Sequence, residues 1–139
     1  MYITETQIRV RYGETDRMGY AYYGVYALYY EVARVEALRN LGMSYREMED
    51  DGIMLPVLDF QIRYMKPAHY DDLVTIKTTI EELPKARITF GYESYNAAGE
   101  LINKGSTTLV FVNAKTGRPC AAPQAFLERL SGYFAAPSL

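Results

Sequence analysis

Polar and apolar positions along the chain change period twice. From Ile3 to Tyr12 they alternate, with Ile3, Glu5, Gln7, Arg9 and Arg11 on one side and Thr4, Thr6, Ile8, Val10 and Tyr12 on the other. That is the period of a half-buried strand. Gly13 to Gly19 (GETDRMG) holds turn residues and two acids and predicts a loop. Tyr22 to Asn40 then runs without proline and with only four charges, Glu31, Arg34, Glu36 and Arg39. Tyr22, Val25, Tyr26, Tyr29, Val32 and Ala33 follow helical spacing, while Leu28, Tyr30 and Val35 fall off that stripe. A helix apolar nearly all round is expected to be covered on most sides. In so short a chain the natural cover is a sheet curled around it. Asn40-Leu41-Gly42 supplies the stop.

Ser44-Tyr45-Arg46-Glu47 fits a capping box, with Met43 and Met48 placed to form the accompanying staple and Gly52 to end a short helix. From Ile53 the period falls to two. Leu58, Phe60, Ile62 and Tyr64 oppose Val57, Asp59, Gln61 and Arg63; Val74, Ile76, Thr78 and Ile80 oppose Thr75, Lys77 and Thr79. Ile88, Phe90 and Tyr92 oppose Arg87, Thr89, Gly91 and Glu93, and a last run spans Leu101 to Asn113. Lys66 to Asp72, Glu82 to Lys85 and Ala97 to Gly99 carry turn residues, so successive strands are expected to form an antiparallel meander. Pro123 to Leu130 reads as a terminal helix. The order predicts an α+β fold, a single domain over residues 1–139 with a sheet wrapped around one long helix.

Composition narrows the partners. A net charge of −2 and a pI near 5.4 argue against nucleic acid. One cysteine, Cys120, fits a reducing, cytoplasmic setting. No signal peptide is visible, and the aromatic stretch from Met18 to Tyr30 is too short and too polar for a membrane span. Tyrosine is over-used, 14 against 5 Phe and no Trp, and six of the 14 fall between Tyr20 and Tyr30. Such a cluster suits a surface packed on one side and facing a wet cavity or a partner on the other.

The common nucleophile sets are missing. There is no G-x-S-x-G, no G-x-G-x-x-G and no phosphate-cradling Walker loop. One His (His69) and one Cys cannot make a zinc set, and Asp50-Asp51 and Asp71-Asp72 sit in turn contexts, so no metal site is expected. Glu14 and Asp16 remain, in the loop before the long helix. They can be helix-capping acids on a surface loop. Alternatively, one of them stands beside the unpaired N–H groups of a buried helix start, where an oxygen gaining negative charge would bind. A carboxylate there could attack a carbonyl or deprotonate water. One carboxylate without histidine suits a thioester, whose thiol leaving group has a pKa of about 8.5 and needs no proton.

Three segments carry a family resemblance. They are Arg11-Tyr12-Gly13-Glu14-Thr15-Asp16-Arg17-Met18-Gly19-Tyr20 with Tyr22-Tyr23-Gly24-Val25-Tyr26, then Tyr30-Glu31-Val32-Ala33-Arg34, and Tyr64-Met65-Lys66-Pro67-Ala68 followed by Asp71-Asp72. In this order the chain resembles the hotdog-fold acyl-CoA thioesterases, the group of the 4-hydroxybenzoyl-CoA and Tol-Pal-associated enzymes. The resemblance implies a hotdog fold, a five-stranded antiparallel sheet around the central helix, assembled as dimers and often tetramers. It implies hydrolysis of an acyl-CoA thioester, with Asp16 as nucleophile or general base and the backbone N–H of Tyr23 polarising the carbonyl. No cofactor is implied, since coenzyme A is part of the substrate. Tyr22 and Tyr26, a partner's strand around Val57 to Arg63 with Val57 and Asp59 among its residues, and the basic Lys85 and Arg87 are expected to bind substrate. Two positions depart from many relatives, Tyr23 for His and Val25 for Asn; the hydroxybenzoyl branch also carries Tyr at the first. A non-catalytic hotdog module that binds an acyl group or serves assembly is the alternative.

Overall fold

The computed structural model describes residues 1–134. Strand β1 (Tyr2–Arg9) leads through a single-turn 3-10 helix, Tyr12–Glu14, into the acidic loop. A second 3-10 turn, Tyr23–Val25, opens directly into α1 (Tyr26–Asn40), and α2 (Tyr45–Asp50) follows. Then come β2 (Ile53–Met54), β3 (Val57–Tyr64), β4 (Leu73–Ile80), β5 (Arg87–Tyr95), β6 (Leu101–Val110), β7 (Val112–Asn113) and α3 (Gln124–Ser131).

Five strands form one antiparallel sheet in the order β1-β4-β5-β6-β3, and β2 pairs with β7 in a separate ribbon. The expected meander therefore holds only from β4 to β6. Strand β3 pairs with β6 at the far edge instead of with β4. The reason lies in its connection. Met65 to Asp72 is no tight turn: it crosses the sheet end, and Ala68 accepts a hydrogen bond from the Ala21 amide (2.7 Å). That crossing delivers the end of β3 to the start of α1. The last expected strand is also broken, because fully buried Phe111 separates β6 from β7.

Inward residues of the sheet alternate as the period of two requires: Val74, Ile76 and Ile80 on β4, Ile88, Phe90 and Tyr92 on β5. Against them α1 buries Tyr26, Tyr29, Tyr30, Ala33, Ala37 and Leu38, the i, i+3, i+4 stripe of a helix lying on a sheet. Each large side chain so buried contributes about 1.5–3 kcal/mol. The helix is not covered all round as its composition suggested. Leu28 and Val32 lie 58% and 45% exposed, because one sheet covers one flank only.

Closest contact comes at Tyr30, whose ring stacks on Tyr92 at 4.1 Å and whose hydroxyl donates to Asn103 Oδ1 (2.6 Å). Gly105 of β6 makes room: a Cβ there would lie 2.8 Å from the Tyr30 ring and 2.5 Å from the Gln61 carbonyl oxygen. At α2, Ser44 Oγ accepts from the Glu47 amide (3.1 Å), and Met43 and Met48 are buried as the staple requires.

Candidate active site

The acidic loop is shaped by short backbone bridges: Thr15 pairs with Ala21, and Tyr20 pairs with His69 of the β3–β4 crossing. The Asp16 amide donates to the Tyr20 carbonyl (2.8 Å), the Gly19 amide donates to the Asp16 carbonyl (3.0 Å), and the Tyr22 amide donates to the Glu14 carbonyl (2.8 Å). Gly19 sits at φ +78°, a conformation an L side chain rarely takes, which explains a glycine at the reversal.

Within this frame the two acids differ. Glu14 Oε1 accepts from the Arg11 amide (2.9 Å) and the Tyr29 hydroxyl (2.8 Å), and Oε2 from the Arg11 guanidinium (3.0 and 2.8 Å). Burial alone would raise its pKa, but the bonds from Arg11 and Tyr29 hold the carboxyl below its usual range. Tyr29 is pushed up, first by burial and then by its bond to Glu14. Half-buried Asp16 is held through Oδ1 only, by the amides of Met18 (2.9 Å) and Tyr20 (3.1 Å). Among the described residues no donor reaches Oδ2.

Beside Asp16 opens a cleft of about 290 Å³. Asp16, Met18 and Tyr20 line it from the loop, Tyr23 and Tyr26 from the head of α1, and Tyr64, Met65, Lys66 and Pro67 from the end of β3. Burial, and secondarily Tyr64, pushes the Tyr26 phenol up to about 12, so it is neutral at ordinary pH. Lys66 is ion-paired with Glu100. Among the described residues no acceptor is found for the amides of Tyr23 and Gly24, the first N–H groups of the helical segment.

Asp16, Tyr23 and Tyr26 thus come together. The other expected substrate-binding residues do not line this cleft. Tyr22 packs its ring on Tyr23 (4.6 Å) and is exposed. Val57 and Asp59 stand exposed at the opposite end of β3 from Tyr64. The Lys85 carbonyl accepts the Ala122 amide, and Arg87 lines a separate hollow with Thr89, Lys104 and Ser106. Sequence reasoning gave no site role to Tyr64, Met18 or Met65. The alternation of β3 put Tyr64 on the helix-facing side with Phe60 and Ile62, which is the signal that could have found it. Exposed His69 lies at the rim: its ring meets Tyr20 edge-on (5.3 Å) and its Nδ1 is 3.6 Å from Asp72.

A model of the thioesterase-like superfamily matches residues 10–130. This chain belongs to that superfamily. It is 35% identical over 133 residues to YneP of Bacillus subtilis (strain 168), covering 96% of each chain. It is 28% identical to the acyl-CoA thioesterase YbgC of Haemophilus influenzae, covering 84% of this chain and 86% of that one. Among solved structures, the DHNA-CoA thioesterase from Staphylococcus aureus is 38% identical with a TM-score of 0.88, covering 96% of this chain and 89% of that one. The superfamily's fold is the hotdog, the sheet-and-helix arrangement described above. No helix among the described residues is long and apolar enough to cross a membrane.

Proposed function

We propose that this thioesterase-superfamily chain hydrolyses an acyl-CoA ester at the Asp16 cleft. One observation carries the reading: among the described residues, a carboxylate with one oxygen tethered and the other free lines the same cleft as a helix head whose first amides have no acceptor. The Tyr23 N–H receives the thioester carbonyl oxygen and stabilises the charge that builds on it. The free oxygen of Asp16 either adds to the carbonyl carbon, giving a mixed anhydride that water cleaves, or removes a proton from the attacking water. Both routes break the C–S bond, release CoA as thiol and end with a free acid and a restored Asp16. Relatives named as acyl-CoA and DHNA-CoA thioesterases support the reaction class. Cleft walls of Tyr20, Tyr23, Tyr26 and Tyr64 favour an aromatic acyl group. No cofactor takes part; coenzyme A arrives on the substrate, and a single free thiol suits the reducing cytoplasm.

The functional unit is at least a homodimer. Strand β3 is an edge with Val57, Leu58, Phe60 and Tyr64 exposed, the kind of apolar edge that pairs with another chain. Two β3 strands joined antiparallel bring the start of one, with Val57 and Asp59, beside the end of the other, at the cleft. Lys85 and Arg87 stay candidates for the CoA phosphates on charge alone, with Arg87 on the sheet face turned away from α1.

The test is release of free thiol from a panel of aroyl- and acyl-CoA esters, with Asp16→Ala as control. Turnover should be highest on an aroyl ester and fall by on the order of 10²-fold or more in the variant. Absence of turnover on every ester, or a variant as fast as the parent, sinks the proposal.

A further inference from the structure

We propose that Tyr64 is a positioning residue that fixes a pair of amides at the head of α1, those of Tyr23 and Gly24, as the binding site for the thioester oxygen. The inference rests on the thioesterase reading of the Asp16 cleft and deepens it. A trans peptide unit is planar, so holding its carbonyl sets the direction of its N–H on the other side. The unit carrying the Tyr23 N–H has the Tyr22 carbonyl, which accepts the Val25 amide at 2.9 Å. The unit carrying the Gly24 N–H has the Tyr23 carbonyl, and here the Tyr64 hydroxyl donates, at 2.7 Å. Both carbonyls are thus anchored, while among the described residues neither N–H group has an acceptor. The first anchor is internal to the turn. The second reaches over from the last residue of β3. A donor on a peptide carbonyl also polarises the unit and strengthens its N–H as a donor.

Two further features fit. A Cβ at position 24 would lie 2.7 Å from the Tyr22 ring, which folds against the turn where the glycine leaves room. Tyr64 is itself fixed: it pairs with Asn103 in the β6 register, and its ring packs on Tyr26 at 5.8 Å. Burial raises the Tyr64 phenol, so it remains a protonated donor at neutral pH.

Tyr64→Phe in the full chain tests the idea, since Phe keeps the ring and removes only the donor. An amide pair that matters more as charge develops acts on turnover rather than on substrate binding. The expected result is kcat lower by roughly tenfold, KM within about twofold and a melting temperature lower by no more than a few degrees, since the bond is exposed. A bound, non-hydrolysable ketone analogue of the thioester should show a smaller downshift of its carbonyl stretch than in the parent, a change that loosened packing elsewhere would not give. Should Tyr64→Phe fail to fold, 3-fluorotyrosine at position 64, a more acidic donor, should raise kcat and deepen the downshift. An unchanged kcat and carbonyl stretch, in whichever variant folds, overturns the inference. A parent that hydrolyses no CoA ester sinks the thioesterase reading and the inference with it; a parent that is active and Asp16-dependent, with Tyr64→Phe at full rate, sinks the inference alone.

Discussion

At Glu14 both carboxylate oxygens are filled by the Arg11 amide and guanidinium and the Tyr29 hydroxyl; at Asp16, two residues along the same loop, one oxygen is tethered and the other is free beside a cleft. The contrast shows how one loop divides its acids. Glu14 ties the loop to the buried face of α1 through Tyr29 and so fixes where Asp16 stands. A group whose bonding is complete has little left for a reaction, whereas a carboxylate oxygen with no protein donor, facing a cleft, is available to a ligand or a water.

Exchanging the two acids for alanine should separate these roles. Asp16→Ala carries the largest effect on turnover, a drop on the order of 10²-fold or more, with a smaller loss of melting temperature than Glu14→Ala because Oδ1 gives up two exposed amide bonds to Met18 and Tyr20. Glu14→Ala should do the reverse, because it strips Tyr29 of an acceptor and Arg11 of its partner. The expected loss is about 2 kcal/mol of stability, lowering the melting temperature by roughly 5–8 °C, with turnover per folded molecule far less affected than in Asp16→Ala. Equal melting temperatures for the two variants would erase the distinction. Tyr29→Phe is the milder probe. It removes one neutral donor from Glu14 and leaves the Arg11 bonds, so about 1 kcal/mol should be lost, again read from thermal melts.

Much of this is legible in the sequence. Periodicity locates the long helix and the half-buried strands, because burial on one face writes itself directly into spacing, and the proline at position 123 marks the start of the terminal helix. The glycine-flanked acids of residues 13–19 and the family resemblance pointed to Asp16 and Tyr23, which the fold sets on one cleft. Which acid was spent and which was free could not be read, because the answer depends on Tyr29, fifteen residues away on α1, turning its hydroxyl toward Glu14. The misplaced neighbour of β3 has a similar cause. Pairing order is set by where the Met65–Asp72 crossing lands, and that depends on Ala68 docking against Ala21, a contact absent from the local pattern. Tyr64 was hidden for the same reason: its bond to the Tyr23 carbonyl exists only once β3 occupies the sheet edge that ends at the helix head.

The smallest expected effect concerns acid pH, and its sign distinguishes the two acids again. Burial tends to raise the Glu14 carboxyl, but hydrogen bonds from Arg11 and Tyr29 leave it net below the ordinary value of 4.5. A group with a depressed folded pKa adds stability that is complete above its unfolded value and disappears as pH falls through the folded one. The parent should therefore out-melt Glu14→Gln by a constant margin at pH 6 to 8, and the margin should shrink as the solution is acidified below about pH 4.5. Because Arg11 is largely exposed, solvent screening keeps its share small, and added salt should trim the margin only slightly. A margin that widened on acidification would mean that the protonated carboxyl is the favoured form at Glu14, and the division of labour between it and Asp16 would have to be redrawn.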